Sequence, residues 1–135
     1  VVKGRARKQQ VNLNFLQPEV PIQVMADEDQ LQQLVLNLVL NALDAMPDGG
    51  AVEIDLRAVP EGGVELYVRD TGPGIAAHIL PKIFETFVSS KETGIGLGVP
   101  VSRRIAEDHG GSLTVYNMPG GGACFLLRLP PPAAK

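Results

Sequence analysis

The sequence has little cysteine and no long hydrophobic run, and both shortages exclude classes of protein. Cys124 is the single cysteine among 135 residues. One cysteine cannot form an intramolecular disulfide or a cysteine-rich zinc site, and it fits a reducing compartment, so we expect a cytoplasmic protein. No apolar run approaches the roughly 18 residues that a membrane-spanning helix needs. We therefore expect no direct contact with a membrane.

An excess of basic charge is also missing. The chain has 12 Lys and Arg against 15 Asp and Glu, for a formal net charge of −3. This balance argues against a protein dedicated to binding nucleic acid. The phosphate-binding loop GxxxxGK followed by Ser or Thr is absent as well. What is present is 44% hydrophobic residues in a chain of 135, enough for the core of one ordinary domain.

Periodic patterns of apolar residues predict both strands and helices. Period-two alternation predicts strands at about residues 11–15, 52–57 and 64–69. Two last strands, joined by a Gly-rich turn, are predicted at residues 113–116 and 123–129. Helices are predicted from about Asp27 to Met46 and from about Gly98 to His109, with a short one around residues 76–83. Strands and helices mixed in this order favour an α/β two-layer sandwich with helices on one face of a mixed sheet.

The two ends of the chain lack such patterns. Residues 1–8 are interpreted as a linker and residues 130–135 as a tail, which leaves residues 9–129 as one domain. Because the chain begins with Val1 and not with Met, we expect it to be part of a longer protein.

The first long helix carries a narrow polar stripe that is unusual for a surface helix. At about 100° per residue the stripe spans roughly 80°, and it consists of Gln30, Gln33, Asn37, Asn41 and Asp44. A solvent-facing strip is one interpretation. Such a strip would more readily carry Glu and Lys, however, and Asn is a weak helix former. We favour a sheltered stripe that faces a ligand or an ion.

Asp70 continues the inward-facing positions of its predicted strand. A carboxylate that points inward is costly unless donors hydrogen-bond to it. One interpretation is a local turn in which Asp70 bonds the backbone of residues 71–74. The other is an acceptor for an N–H group of a ligand, with Gly72 and Gly74 letting the backbone approach a flat ring.

Alternating glycines open the last predicted helix, where residues 94–98 read GIGLG. Backbone N–H groups at the positive end of a helix suit phosphate. A dinucleotide-binding loop needs a strand directly before it, but residues 87–93 are typical of a loop. This signal is weak when taken alone.

Taken in order, these segments resemble the sequence boxes of the catalytic, ATP-binding domain of sensor histidine kinases. This domain belongs to a superfamily shared with gyrase, mismatch-repair and heat-shock chaperone ATPases. Residues 37–46 resemble the N box, residues 70–75 the G1 box, residues 83–87 the F box and residues 94–98 the G2 box. Residues 104–111 resemble the helix that usually follows the G2 box. Four boxes in this order are a far more specific signal than any one of them.

The resemblance implies the Bergerat-type ATP-binding fold over about residues 9–129. This is a mixed, mostly antiparallel sheet of about five strands, covered on one face by about three helices. The implied ligands are ATP and Mg²⁺. The residues implied to contact them are Asn37, Asn41, Asp44, Asp70, Gly72, Gly74, Ile75, Lys91, Gly94, Ile95, Gly96, Leu97 and Gly98.

The resemblance also implies a role for several of these residues. Asn41 would ligate Mg²⁺ through its side-chain oxygen, and Asn37 would lie near the phosphates. Asp70 would accept from the adenine amino group and so select ATP over GTP. The glycines of residues 94–98 would donate N–H groups to the triphosphate, and Lys91 would reach it from the lid. No catalytic residue is assigned.

The sequence departs from the family pattern at four positions. Asn37 stands where hydrolytic relatives carry a general-base Glu, which implies slow ATP hydrolysis. Asp44 replaces a frequent Lys or Arg, Ile95 a frequent Ser or Thr, and Ala123 a Thr near the adenine. These three bear on nucleotide affinity. The short lid at residues 87–94 resembles that of nitrogen-regulation and oxygen-sensing kinases.

The function implied by the resemblance is that of a protein-histidine kinase catalytic module. It would bind Mg·ATP and donate the γ-phosphate to a histidine on a separate dimerisation domain of the same parent kinase, which in turn serves a response regulator receiver domain. Neither His78 nor His109 resembles the acceptor motif, and we expect this piece alone to be monomeric. The alternatives are an anti-sigma-type Ser/Thr kinase of the same superfamily and a partner-docking module that has lost nucleotide binding.

Overall fold

Alternating segments form the strands of one sheet, and the amphipathic segments form helices beside it. The computed structural model describes residues 2–16, 28–60, 62–78, 80–82 and 98–130. The helices within these ranges are α1 (Val2–Lys8), α2 (Glu28–Ala45) and α3 (Gly98–Asp108). The strands are β1 (Val11–Leu16), β2 (Gly50–Ala58), β3 (Val64–Asp70), β4 (Ser112–Asn117) and β5 (Ala123–Leu129). A single 3-10 turn lies at Leu80–Lys82, within the predicted short helix.

The sheet is mixed and mostly antiparallel, as the resemblance implies. Its strand order is β1-β2-β3-β5-β4. Strand β1 pairs parallel with β2, and the other neighbours pair antiparallel. Parallel neighbours need a long connection that crosses over the sheet, and α2 lies in this connection. Helix α2 therefore lies against the sheet near β2 and β3.

The hydrophobic core lies between the sheet and its helices. Every second residue of β3 is buried, which is the pattern of a strand with one face on a core. Helix α2 contributes Leu34, Leu38 and Leu43, each 0% exposed, and the sheet contributes Val52 and Phe125 at 0% and 2%. Helices α2 and α3 also pack against each other. This packing fixes where the polar residues of both helices lie.

The opposite face of the sheet carries a cluster of charged side chains. Arg57 Nη2 lies 2.7 Å and Arg69 Nη1 3.2 Å from Asp55 Oδ2, and Arg69 Nη1 also lies 2.6 Å from Glu53 Oε1. The guanidinium carbons of both arginines lie over the Tyr67 ring, at 4.9 and 4.5 Å from its centroid, as in cation–π pairs. Asp55 is only 5% exposed as a result. The hydrogen bond from Arg57, assisted by Arg69, lowers its pKa against the opposing effect of burial.

The first segment of the chain, interpreted from its sequence as a linker, is helical. Residues Val2–Lys8 form α1, and Ala6 in this helix is 2% exposed and belongs to the core. The apolar pattern does not predict this helix, because Ala6 is a small side chain in a segment with four basic residues and Gly4. That this segment links the domain to a dimerisation domain before it stays a prediction. Within the described ranges no helix is long and apolar enough to cross a membrane.

Candidate functional site

Helix α2 turns the middle of its polar stripe toward α3. Asn37 Nδ2 donates to Ser102 Oγ of α3 over 3.3 Å, and Gln33 Nε2 donates to Asn37 Oδ1 over 2.8 Å. Ser102 is 0% exposed. Asn37 and Asn41 are half-buried, whereas the other three members of the stripe, Asp44 among them, are exposed. The expected shelter is therefore found at the middle of the stripe and not at its ends.

Asn41 holds an acceptor without a hydrogen-bond partner. Its Oδ1 is buried, and no donor reaches it within the described part of the chain. Buried polar atoms are nearly always hydrogen-bonded, and one that is not costs about 1–3 kcal/mol. An amide oxygen is a ligand that hard cations accept. The position fits the metal ligand that the resemblance implies.

Asp70 ends β3 with its carboxylate turned inward. It is 5% exposed, and its Oδ1 accepts two backbone hydrogen bonds, from Gly72 N over 2.9 Å and from Ala123 N over 3.3 Å. Within the described residues neither bond, nor any other, uses Oδ2. The local turn and the ligand acceptor, which were alternatives from sequence, are thus compatible, since each can use a different oxygen.

Burial dominates the electrostatics of Asp70 among the described residues, where no cationic side chain is paired with it. Burial raises its pKa, and the hydrogen bonds from Gly72 and Ala123 oppose this rise only in part. A buried carboxyl group with a raised pKa in a polar niche is a common mark of a binding site. A further hydrogen-bond donor at Oδ2 would stabilise the ionised form of the Asp70 carboxylate.

Gly122 brings the start of β5 into contact with Asp70. A Cβ at Gly122 would collide with the carbonyl oxygen of Asp70, and the residue has a φ of 88°. Only glycine adopts this conformation readily and leaves room for such an approach. The close approach lets the next residue, Ala123, donate to the carboxylate.

Asn117, at the end of β4, is a site residue that the sequence reasoning missed. Its Oδ1 accepts from Ile75 N and its Nδ2 donates to Ile75 O, both over 2.8 Å. The side-chain amide thus pairs with both backbone groups of Ile75. The available signal was an Asn directly before the turn at residues 118–122, but Asn is common in turns for local reasons.

The end of the β4–β5 hairpin therefore holds both ends of the loop at residues 70–75. Asn117 and Ala123 are direct partners in the sheet. One of them binds Ile75 and the other binds Asp70. The loop that resembles the G1 box is fixed by main-chain and amide contacts before any ligand binds.

Several predicted site residues lie outside the described residues. These are Lys91, Gly94, Ile95, Gly96 and Leu97, together with residues 83–87 of the F box. Gly98 begins α3. In the described residues the middle of α2 contacts α3 through Asn37 and Ser102. The loop of residues 70–75 contacts the last turn of α2 and the β4–β5 hairpin.

A comparison with protein families matches most of the chain. Residues 26–133 match the family described as histidine kinase-, DNA gyrase B-, and HSP90-like ATPase. The match includes α2, the loop of residues 70–75 and α3.

The similar curated proteins are sensor kinases. The chain is 40% identical over 128 residues to the sensor protein FixL of Bradyrhizobium diazoefficiens, a match that covers 93% of this chain and 25% of FixL. It is 36% identical over 130 residues to the sensor histidine kinase ZraS of Klebsiella oxytoca, covering 96% of this chain and 28% of ZraS. The chain thus spans about a quarter of the length of these relatives.

Solved structures of histidine kinase catalytic domains have the same fold. The nucleotide-free catalytic domain of the histidine kinase ThkA superimposes with a TM-score of 0.85 at 29% identity, covering 96% of this chain and 84% of that one. ThkA in complex with the response regulator protein TrrA gives a TM-score of 0.80 at 29% identity, covering 95% of this chain and 36% of that one. The two-layer fold expected from sequence is confirmed.

Proposed function

Because the chain belongs to the family of histidine kinase-, DNA gyrase B- and HSP90-like ATPases, we propose that it is the catalytic module of a two-component sensor kinase. In this role it binds ATP with Mg²⁺ and presents the γ-phosphate to a histidine of a separate dimerisation domain in the same parent kinase. The family supports ATP binding directly. The metal, the acceptor and the partners are our proposals.

Asp70 is the observation that carries the proposal. Its carboxylate is 5% exposed, and the fold's own donors occupy Oδ1. We assign Oδ2 to the amino group of adenine. Guanine has a carbonyl at that position of the ring, and a carbonyl oxygen opposite a carboxylate would leave both groups without a donor. The site is therefore expected to prefer ATP to GTP.

Asn41 is proposed to ligate Mg²⁺. Support comes from its buried Oδ1, which no donor reaches in the described residues. Mg²⁺ prefers oxygen ligands and is usually held by few protein groups together with the phosphates of the substrate. A single amide oxygen is consistent with that mode of binding.

We propose contacts with the nucleotide for the other residues that the resemblance implies. Gly74 and Ile75 would border the base, and Asn37 would lie near the phosphates. The remaining members of this group are Asp44, Gly72, Lys91, Gly94, Ile95, Gly96, Leu97 and Gly98.

When bound, ATP supplies the phosphoryl group, and the residues of this chain bind and orient it. Phosphoryl transfer needs chiefly positioning and neutralisation of charge. Asn37 cannot act as a general base, since an amide does not accept a proton near neutral pH, and we therefore propose slow hydrolysis of bound ATP. Slow hydrolysis suits a module that has to save the γ-phosphate for a protein acceptor.

The proposed partners follow from the same role. They are the dimerisation domain that carries the acceptor histidine and, through the parent kinase, the receiver domain of a response regulator. The solved complex of ThkA with a response regulator supports the second. We further propose that this chain alone is monomeric, acts in the cytoplasm and binds no nucleic acid.

Calorimetric titration with Mg·ATP and Mg·GTP tests the proposal. The unsubstituted chain should bind Mg·ATP more tightly, and Asp70→Asn should weaken Mg·ATP binding by about 10- to 100-fold, since a charge-assisted bond is lost. The Asn side chain keeps an oxygen for Gly72 and Ala123, so the variant should fold. Asp108→Asn, at an exposed position of α3, is the matched control and should bind normally.

Two results would contradict this assignment. Normal ATP binding by Asp70→Asn would refute the role given to Asp70. An unsubstituted chain that binds neither nucleotide would refute nucleotide binding altogether and favour a partner-docking module instead.

A further inference from the structure

Gln9, directly after α1, caps the C-terminal end of α2. Its Nε2 donates to Leu43 O over 2.8 Å and to Met46 O over 3.1 Å. The last carbonyl groups of a helix have no partner within the helix and need donors from elsewhere. Here the two segments are more than thirty residues apart in sequence. The end of one helix thus fixes the end of another.

The segment that carries Gln9 is itself held in place. Ala6 of α1 is 2% exposed in the core. Gln10 has a φ of 60°, a value that residues other than glycine adopt only where the surroundings impose it. Its N–H donates to Arg7 O over 3.1 Å. A firm turn therefore delivers the Gln9 amide to α2.

The last turn of α2 also supports the loop that contains Asp70. Met46 is 3% exposed, and its Sδ lies 3.6 Å from Thr71 Oγ1. The position of a Cβ at Gly72 would be 3.1 Å from Met46 Cγ and 3.4 Å from Ala45 O. The turn that Gln9 caps is thus the surface on which residues 71 and 72 lie, next to Asp70.

We infer that Gln9 is a positioning residue for nucleotide binding, which couples the placement of α1 to that of the Asp70 loop. This inference rests on the proposed function. If α1 moves and withdraws the amide, Leu43 O and Met46 O keep their backbone donors Met46 N and Gly49 N but lose the side-chain donor that ties them to α1, and the last turn of α2 loosens. Met46 then no longer holds Thr71 and Gly72 in place. By linkage, nucleotide binding in turn favours the placement of α1 in which Gln9 is engaged.

Three variants of the full chain separate this role from general stabilisation. Gln9→Met keeps the length of the side chain but removes the donor. Gln9→Lys restores a donor whose positive charge suits a helix C-terminus. Gln32→Met makes the same chemical change at an exposed position of α2 and serves as the control.

The measurements are the Kd for Mg²⁺ with the non-hydrolysable analogue AMPPNP and the amide ¹H–¹⁵N shift of Gly72 without nucleotide. Gln9→Met should weaken binding by about three- to tenfold, the effect of one lost hydrogen bond, and should move the Gly72 resonance. Gln9→Lys should return the Kd to within about twofold of the original value and the Gly72 resonance to near its original shift, because it returns the donor. Gln32→Met should change neither.

The outcomes distinguish this inference from the function on which it rests. Normal binding by Gln9→Met, or equal weakening in the Met and Lys variants, would overturn the coupling alone. A Gly72 resonance that stays in place in Gln9→Met would do so too. An unsubstituted chain that does not bind AMPPNP would overturn the proposed function and this inference together.

Discussion

Asp55 and Asp70 are both 5% exposed and lie on the neighbouring strands β2 and β3, yet their surroundings are opposite. Asp55 faces away from the helices and is bonded by Arg57 and Arg69, which lower its pKa. Asp70 faces the helices, its donors among the described residues are backbone N–H groups, and burial raises its pKa. At equal burial, the donors distinguish the two carboxylates: the fold satisfies Asp55 with arginines, whereas Asp70 still needs a donor. The second kind is the better indicator of a binding site.

The largest effect on stability is expected from removing the close approach of Gly122 to Asp70. Gly122→Ala should destabilise the chain by about 3 kcal/mol or more, since its Cβ collides with the Asp70 carbonyl and its φ is unfavourable. Urea denaturation measures the change. Gly120→Ala, where no atom lies within 4 Å, should stay within about 0.5 kcal/mol. Similar values for both variants would show that Gly122 does not hold Asp70.

Asp55→Asn should remove the ion pairs of Asp55 with Arg57 and Arg69. We expect a loss of about 2 kcal/mol in unfolding free energy, because the two arginines lose a buried partner while remaining partly solvated. The control is Glu107→Gln, which removes the exposed pair that Arg103 forms with Glu107 at 3.3 Å. This pair should contribute less than about 0.5 kcal/mol. If Asp55→Asn lowered the unfolding free energy as little as Glu107→Gln, the buried ion pairs of Asp55 would not stabilise the fold.

The pH dependence of unfolding should show opposite signs for the two aspartates. The folded pKa of Asp55 is below its ordinary value of 3.8, so its stabilisation is present above that value and is lost as pH falls through the folded pKa. The folded pKa of Asp70 is above 3.8, so its ionisation destabilises the fold at neutral pH, and stability is regained as pH falls toward 3.8.

Asp70→Asn mimics the protonated carboxyl and should therefore stabilise the chain at pH 7, with a difference that shrinks in acid. Asp55→Asn should destabilise at pH 7, with a difference that also shrinks in acid. Unfolding curves at a series of pH values test both. Destabilisation by Asp70→Asn at neutral pH would reverse the sign that its burial predicts.

The smallest effects should distinguish the two asparagines of α2. Asn37→Ala loses the bonds with Ser102 and Gln33 and should cost about 1 kcal/mol. Asn41→Ala removes a buried acceptor without a partner and gains helix propensity, so its stability should stay the same or rise by about 0.5 kcal/mol. The second variant should also lose the Mg²⁺ dependence of nucleotide binding. Retained dependence would reassign the metal ligand.

Residues whose role follows from local periodicity could be predicted from the sequence. The inward position of Asp70 follows from strand alternation, and the unusual stripe with Asn41 follows from helical spacing. The described ends of α2 and α3 agree to within about a residue with the ends that the sequence patterns predict. The shared cause is that each pattern repeats within one element.

Residues whose role depends on a contact between distant segments could not be predicted. Gln9 meets α2, and Asn117 meets Ile75, across long stretches of chain. Asp55 sits at a position that alternation assigns to solvent, but two arginines from neighbouring positions of the sheet cover it. Such pairings depend on strand register, which single-sequence periodicity does not specify.

The two hydrogen bonds that Oδ1 of Asp70 accepts have a consequence for interpreting related sequences. A homologue that had lost its ligand would still keep an Asp or an Asn at this place, because Gly72 at the turn and Ala123 at the start of β5 both donate to a side-chain oxygen here. An acceptor side chain retained at this position is therefore weak evidence that the homologue still binds nucleotide. The side-chain oxygen of Asn41 accepts no hydrogen bond from the described residues, so the fold does not require it. Substitution of Asn41 would therefore be an earlier sign that a homologue has lost nucleotide binding.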